Sequence, residues 1–318
     1  MQPVFIMAAA LAGIILGHAA FFSENMGGMI TPFLIVLLFF IFLKVDVKDI
    51  AHSFKNVRFS SAVVLINFVW TPIIAALLGY AFLGGSMDMM IGFMMLLVTP
   101  CTDWFMVFTG MSKGNLGLSA SILPLNLVLQ IPLLPVYLFV FLGTESSFDM
   151  WSLVVSMIFV LAIPLIAANL VKAAVKALGK RDALNEKADR YGDNLQLLFL
   201  CLAVFAMFAP SGGMIIDDPF VMLLVLVPLT IFFTLNFIIA RIVGNAAGFS
   251  FDDSTSLTFT VMARNSPLAL AIAVAAFPDS PMIALVLVVG SLIELPVLSL
   301  ASAVTLKMRE KRKAATSV

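Results

Sequence analysis

Charged residues are scarce in this sequence, making up 11% of 318 positions, against about a quarter in an ordinary soluble domain. With 62% of the residues hydrophobic and a mean hydropathy of +1.12, there is too little polar surface to coat a water-soluble globule. Lipid is the expected solvent. Cysteine is also rare, and Cys101 and Cys201 lie far apart within apolar stretches. That spacing excludes a disulfide framework and a zinc ribbon. No CxxC, HExxH, GxGxxG or Walker-type run occurs, and the two histidines, His18 and His52, stand near the ends of apolar segments. A membrane-embedded enzyme needs a clustered His/Glu/Asp or Ser/Lys set, which is missing. No enzyme activity, cofactor, resident metal or nucleic-acid partner is therefore expected.

Long apolar runs are what the chain has in abundance. Cutting at charges and at Gly, Pro, Asn and Asp clusters leaves ten, at about 3–20, 29–44, 59–84, 87–112, 115–143, 151–177, 191–210, 218–245, 253–277 and 279–306. The first has no basic residues ahead of it and no small-residue cleavage site, so it reads as a span and not a removed signal. Several runs exceed the roughly 20 residues a span requires, which predicts tilt or a mid-membrane break.

The formal net charge of zero conceals an asymmetry along the chain. Lys44, Lys48, Lys55 and Arg58 follow the second run, Lys113 the fourth, and Lys172, Lys176, Lys180, Arg181, Lys187 and Arg190 the sixth. Arg241 closes the eighth run, and Lys307, Arg309, Lys311, Arg312 and Lys313 lie in a basic tail over 307–318. Seventeen of the eighteen basic residues thus fall on one side of a ten-span topology, while the opposite connections hold Glu24, Asp88, Glu145, Asp149, Asp217, Asp218 and Asp279. The positive-inside rule places that basic side, and both termini, in the cytoplasm of a multi-pass cell-membrane protein. The basic loop and tail read as topology signals and headgroup contacts.

Ten spans divide at the Glu145–Asp149 connection into halves 1–145 and 146–318. Because five is odd, similar halves would have opposite orientations, the inverted repeat common among secondary transporters. The fourth run is interrupted by Thr99-Pro100-Cys101-Thr102-Asp103 and the ninth by Ala263-Arg264-Asn265-Ser266-Pro267. At 28 residues beyond Thr102 comes Gln130-Ile131-Pro132-Leu133, and at 29 beyond Asn265 comes Glu294-Leu295-Pro296-Val297. Proline withholds a backbone donor, and polar groups facing lipid are costly, so such breaks belong where they are buried or line a cavity. Pro100 and Pro267 are the helix-break residues.

Arg264 is the basic residue left inside the membrane, and it needs a partner, either Asp103 or Glu294. It would serve as a fixed tie between the breaks, as an anion-binding group, or as the neighbour that sets the proton affinity of Asp103 or Glu294. Cys101 follows the helix-breaking proline and offers a soft ligand, unless it is a small buried hydrophobe. Cys201, mid-span and without polar company, reads as the latter. Thr102, Asn126, Gln130, Asn265 and Ser266 line a polar path or bond across helices. The 19 Met and 29 Phe residues read as packing and lipid contact.

At these residues the chain resembles the superfamily that joins bile-acid sodium symporters with arsenite efflux permeases of the arsenical-resistance type. The resemblance covers nearly the whole chain. Phe108-Thr109-Gly110-Met111-Ser112-Lys113-Gly114-Asn115 is similar to the end of helix four in both branches, and Asn265-Ser266 with Leu268-Ala269 to helix nine of the bile-acid branch. Pro100-Cys101-Thr102, Asn126 and Glu294-Leu295-Pro296-Val297 resemble the arsenite branch. Pro267 stands where that branch has a Glu; Phe105-Met106, Thr260 and Arg264 stand where the sodium symporters have Ser-Asn, Glu and Gln.

The resemblance implies an all-α membrane fold of ten helices in two inverted five-helix repeats, with broken helices four and nine crossing. It implies secondary transport of a small molecule or oxyanion, with arsenite efflux by proton antiport ahead of ion-coupled uptake of a bile-acid-like or small carboxylate anion. A channel or membrane-embedded enzyme is the remote alternative. Cys101, Thr102, Asn126, Arg264, Asn265 and Ser266 would contact substrate, and Asp103 or Glu294 would exchange protons. A fixed cation in place of a Gln opposes sodium, so the proton is the expected coupling ion.

Overall fold

The apolar runs fold as helices because a chain in lipid must satisfy its backbone hydrogen bonds within each segment. The computed structural model describes residues 2–17, 19–44, 56–101, 104–143, 150–178, 181–217 and 220–316. Among these the only pairing of extended backbone is an isolated antiparallel bridge between Pro100 and Arg264.

In chain order the helices are α1 (Gln2–Leu16), α2 (Ala20–Asn25), α3 (Ile30–Lys44), α4 (Val57–Leu65), α5 (Thr71–Leu83), α6 (Met87–Val98) and α7 (Trp104–Met111). They continue as α8 (Leu116–Leu142), α9 (Met150–Ala177), α10 (Arg181–Asp217), α11 (Phe220–Ala246), α12 (Phe251–Met262), α13 (Ser266–Ala276) and α14 (Pro281–Thr316). Over its described residues, each apolar run of the sequence falls on this set. The fourth is split between α6 and α7, and the ninth between α12 and α13. Among the described residues, four helical stretches are long and apolar enough to cross a membrane, Val57–Leu83, Leu116–Phe141, Leu223–Ala246 and Pro281–Arg312, and four shorter ones are apolar. Two helices outrun the apolar segments on which they were expected. α10 starts at Arg181 and α14 continues to Thr316, because Ala, Leu, Glu, Lys and Arg favour helix in water as well.

The chain forms two compact units, each drawing on both of the halves read from the sequence. One comprises Met1–Asp46, Ser147–Leu223 and Pro267–Val288; the other comprises Val47–Ser146, Leu224–Ser266 and Val289–Val318. In the first unit α1 packs on α10 through Gly13 and Gly17, one helical turn apart. A Cβ at Gly13 would lie 2.8 Å from the Phe205 carbonyl oxygen, and one at Gly17 would lie 2.1 Å from that of Ala209. Lipid supplies no hydrophobic drive between helices, so small residues that let backbones approach are what hold such a contact.

In the second unit α4 and α5 are joined by a π-helical turn, Ile66–Trp70, in which the Thr71 N–H reaches back to the Ile66 carbonyl. Pro72 cannot donate to the carbonyl four residues earlier, that of Phe68. The Tyr137 hydroxyl on α8 donates to it instead, at 2.6 Å. Along this helix Leu65, Val69, Ile73 and Leu77 are exposed at four-residue intervals, an apolar stripe suited to lipid.

α7 ends in a Schellman motif: Gly114 N–H bonds the Thr109 carbonyl at 2.8 Å and Lys113 N–H bonds that of Gly110 at 3.0 Å. Lys113 takes the left-handed conformation (φ 58°). Gly114 is glycine for room, since a Cβ there would meet the Thr109 methyl at 2.7 Å. Asn115 then caps α8, its Oδ1 accepting from Leu118 N–H at 3.1 Å and its Nδ2 donating to Asp253 at 2.8 Å. Asn115→Ala removes both bonds. It is expected to cost about 1–2 kcal/mol, a drop of about 2–5 °C in the melting midpoint of the purified protein.

Candidate functional site

The two helix breaks meet. Cys101 N–H donates to the Ala263 carbonyl at 3.1 Å and Asn265 N–H to that of Thr99 at 2.7 Å, so the extended residues pair antiparallel about Pro100 and Arg264. Each break therefore satisfies backbone groups that the other exposes, which is how non-helical backbone survives when buried among apolar helices.

α6 ends at Val98 and α12 at Met262, leaving the last carbonyls of both helices without intrahelical donors. The Thr99 hydroxyl serves those of Met95 and Leu96, at 2.8 and 3.1 Å. Arg264 serves three more. Its Nη1 donates to the Leu97 carbonyl at 2.8 Å, its Nε to that of Met262 at 3.1 Å, and its Nη2 to that of Val261 and to Asn67 Oδ1, the latter at 3.1 Å. The Phe232 ring covers the guanidinium with its centroid at 5.2 Å. Arg264 has no exposed surface and is the largest fully buried side chain described. Such a charge is tolerated only with its hydrogen-bonding capacity filled.

Glu294, 2% exposed, meets the break differently from the expected side-chain pair. Its carboxylate accepts the backbone N–H of Arg264 at 2.7 Å. The acid thus holds the main chain from which the guanidinium hangs, while that guanidinium is held by carbonyls. Asn236 adds a brace, donating to the Val261 carbonyl at 3.0 Å and accepting from Trp70 Nε1 at 3.0 Å.

Cys101 is buried and forms no disulfide. Its sulfur accepts the Trp104 N–H at 3.2 Å, which puts a soft ligand at the positive end of α7. Asn265 is 3% and Ser266 7% exposed, both at the second break, and Pro267 lies in the first turn of α13, where its missing donor costs nothing. Thr102 and Asp103 lie outside the described residues. Asn126 and Gln130 occupy successive turns of the buried stripe of α8 that also contains Ser119, Ile122, Leu134 and Leu138. Both side-chain atoms of each amide are buried without a hydrogen-bond partner among the described residues.

The fold thus brings Pro100, Cys101, Arg264, Asn265 and Glu294 to one crossing. Asn67 and Phe232 belong to that crossing although the sequence reading passed over them, and Thr99, read there only as the start of the first break, joins it through its hydroxyl. Asn67, a polar residue amid an apolar run five positions before Pro72, carried a usable signal. Phe232, one of 29 phenylalanines, carried none.

A model of the sodium bile acid symporter family matches residues 31–218, a range that contains Cys101 and ends before the second break. Over 315 residues the chain is 25% identical to the arsenical-resistance protein Acr3 of Corynebacterium glutamicum, covering 93% of this chain and 85% of that protein. It is 23% identical over 287 residues to an uncharacterized transporter, slr0944, of Synechocystis sp., covering 83% and 75%.

Proposed function

Because the chain belongs to the sodium bile acid symporter family and is a membrane transporter rather than an enzyme, we propose that it exports arsenite or a related small oxyanion by proton antiport. It would do so across the cell membrane, as ten crossings in two inverted five-helix repeats with both termini cytoplasmic.

The observation that carries this reading is Cys101. Its sulfur stands at the head of α7, beside the crossing of the two breaks, in a chain aligned over 93% of its length with an arsenical-resistance protein. Trivalent arsenic is a soft centre that prefers sulfur, and Asn265, Ser266, Asn126 and Thr102 supply polar groups for its hydroxyls. Asp103 or Glu294 is the proton carrier. A carboxylate substrate fits less well, because Nε, Nη1 and Nη2 of Arg264 all donate to protein oxygens already.

Expression in an arsenite-sensitive host is expected to raise tolerance, and Cys101→Ala to return it to the level of the empty vector at equal membrane abundance. Unchanged tolerance with well-expressed protein overturns the reading. Counterflow of labelled carboxylates with and without sodium tests the organic-anion alternative.

A further inference from the structure

We propose that the Arg264 guanidinium is a tethered stand-in for a coupling cation: it occupies a cation site built from helix ends, and the transporter therefore works without bound sodium. The inference rests on reading the crossing as the transport centre.

Four oxygens converge on this group from three helical segments, the carbonyls of Leu97, Val261 and Met262 and the amide oxygen of Asn67. Three of them terminate α6 and α12, whose C-terminal ends each carry roughly half a negative charge. Two such ends meeting require about one positive charge. In secondary transporters, unwound carbonyls and half-helix C-termini at a midplane crossing are where a coupling ion binds. An oxygen cage closed on one side by the face of Phe232 at 5.2 Å suits a monovalent cation, since the ring contributes negative potential without a formal charge.

The competing role for a buried arginine, gripping an anionic substrate, needs donors aimed into a cavity. Here all three nitrogens point at protein oxygens, and Glu294 fixes the backbone N–H of the same residue at 2.7 Å. A free ion in this cage would bind and leave during the cycle. A tethered one cannot leave, so the helix ends stay neutralised in every state and the sodium gradient does no work.

The test uses purified full-length protein and needs no transported substrate, so a failure to move arsenite leaves its result intact. Thermal melts are recorded in choline, sodium, potassium and low-millimolar guanidinium chloride for the wild type, Arg264→Ala and Arg264→Gln. The wild type is expected to melt within about 1 °C in all four. Arg264→Ala should melt lower in choline and regain about 3 °C or more with guanidinium or sodium, the shift mass action gives to a ligand that binds only the folded state. Recovery of folded Arg264→Ala only when guanidinium is present throughout purification supports the proposal equally. Selective stabilisation of the wild type by sodium overturns it, as does an Ala variant indifferent to every cation. If Arg264→Ala cannot be obtained folded under any condition, Arg264→Lys decides. It should melt above Arg264→Gln and show no cation response; a Lys variant no more stable than the Gln variant overturns the proposal.

Discussion

Replacing Asn126 and Gln130 together by leucine should make the protein more stable and abolish its transport. The two amides lie one turn apart on a buried face of α8 and are 0% and 1% exposed. Their four polar atoms find no partner among the described residues. A buried donor or acceptor left unmade costs about 1–3 kcal/mol, so a pair of such side chains is a standing destabilisation that a packed helix has no structural reason to keep. On α8 they lie between two fixed points, Ser119, 3.4 Å from the Thr109 hydroxyl, and Tyr137, which serves the carbonyl left free by Pro72. The helix packs on α6, α7 and α12, which flank the two breaks. The arrangement makes sense if a polar solute or its water completes these amides during transport. Leucine has a comparable volume and no polar group to desolvate, so the double variant is expected to melt about 3–6 °C higher. It is also expected to transport at least about a hundredfold more slowly, as for a site that loses the groups built to bind a hydroxyl. Differential scanning fluorimetry and vesicle flux measure the two effects separately. A lower melting point would mean that the amides hold the helices together, and retained flux would mean that the solute passes elsewhere.

The same residues show how far sequence carried the argument and where it stopped. The helix breaks were legible because Pro100 and Pro267 each stand among polar neighbours within an apolar run. Proline alone was not a sufficient mark: Pro124, Pro132 and Pro135 lie inside α8 without ending it, as do Pro164, Pro210, Pro228 and Pro296 in their helices. A proline in a continuous helix frees one carbonyl, which a hydroxyl such as that of Tyr137 can serve. A break frees several groups at once and persists only where a second break supplies matching donors and acceptors. Such reciprocity is a property of two distant segments, and no local pattern encodes it. Arg264 was identifiable as the anomalous charge, yet its partners were expected to be carboxylates, since charge pairing is what sequence spacing suggests. Backbone carbonyls carry no signature in sequence, so a cation bound by helix ends is invisible until the ends are placed. The π turn at Ile66–Trp70 was hidden for a related reason: the turn that presents Asn67 depends on which carbonyl Pro72 leaves free and which side chain answers it.

Glu294→Gln should separate the charge of this acid from its hydrogen bond, and the two losses should differ in kind. Glutamine keeps an oxygen to accept the Arg264 N–H, now made at 2.7 Å, so the second break should hold its course. It removes the formal negative charge beside the backbone N–H of that break, turning a charge-assisted hydrogen bond into a neutral one. The expected cost is about 1–3 kcal/mol, a melting point lower by about 3–8 °C. Leucine removes the acceptor too, orphans the N–H and should cost a further 1–3 kcal/mol or so. Transport divides the variants more sharply. If Glu294 carries the proton, the Gln variant should still exchange labelled substrate across the membrane at equilibrium, because exchange needs no net proton movement. Net flux driven by an imposed proton gradient should fall by at least about a hundredfold, the scale of loss when a positioned proton-transfer group is removed. The Leu variant, with the break itself loosened, should lose both. Gradient-driven flux that survives in the Gln variant would remove Glu294 from the coupling step and leave it the task of fixing Arg264. The order of stability, wild type above Gln above Leu, should hold in either case, because it follows from one hydrogen bond and one charge whatever the acid does during transport.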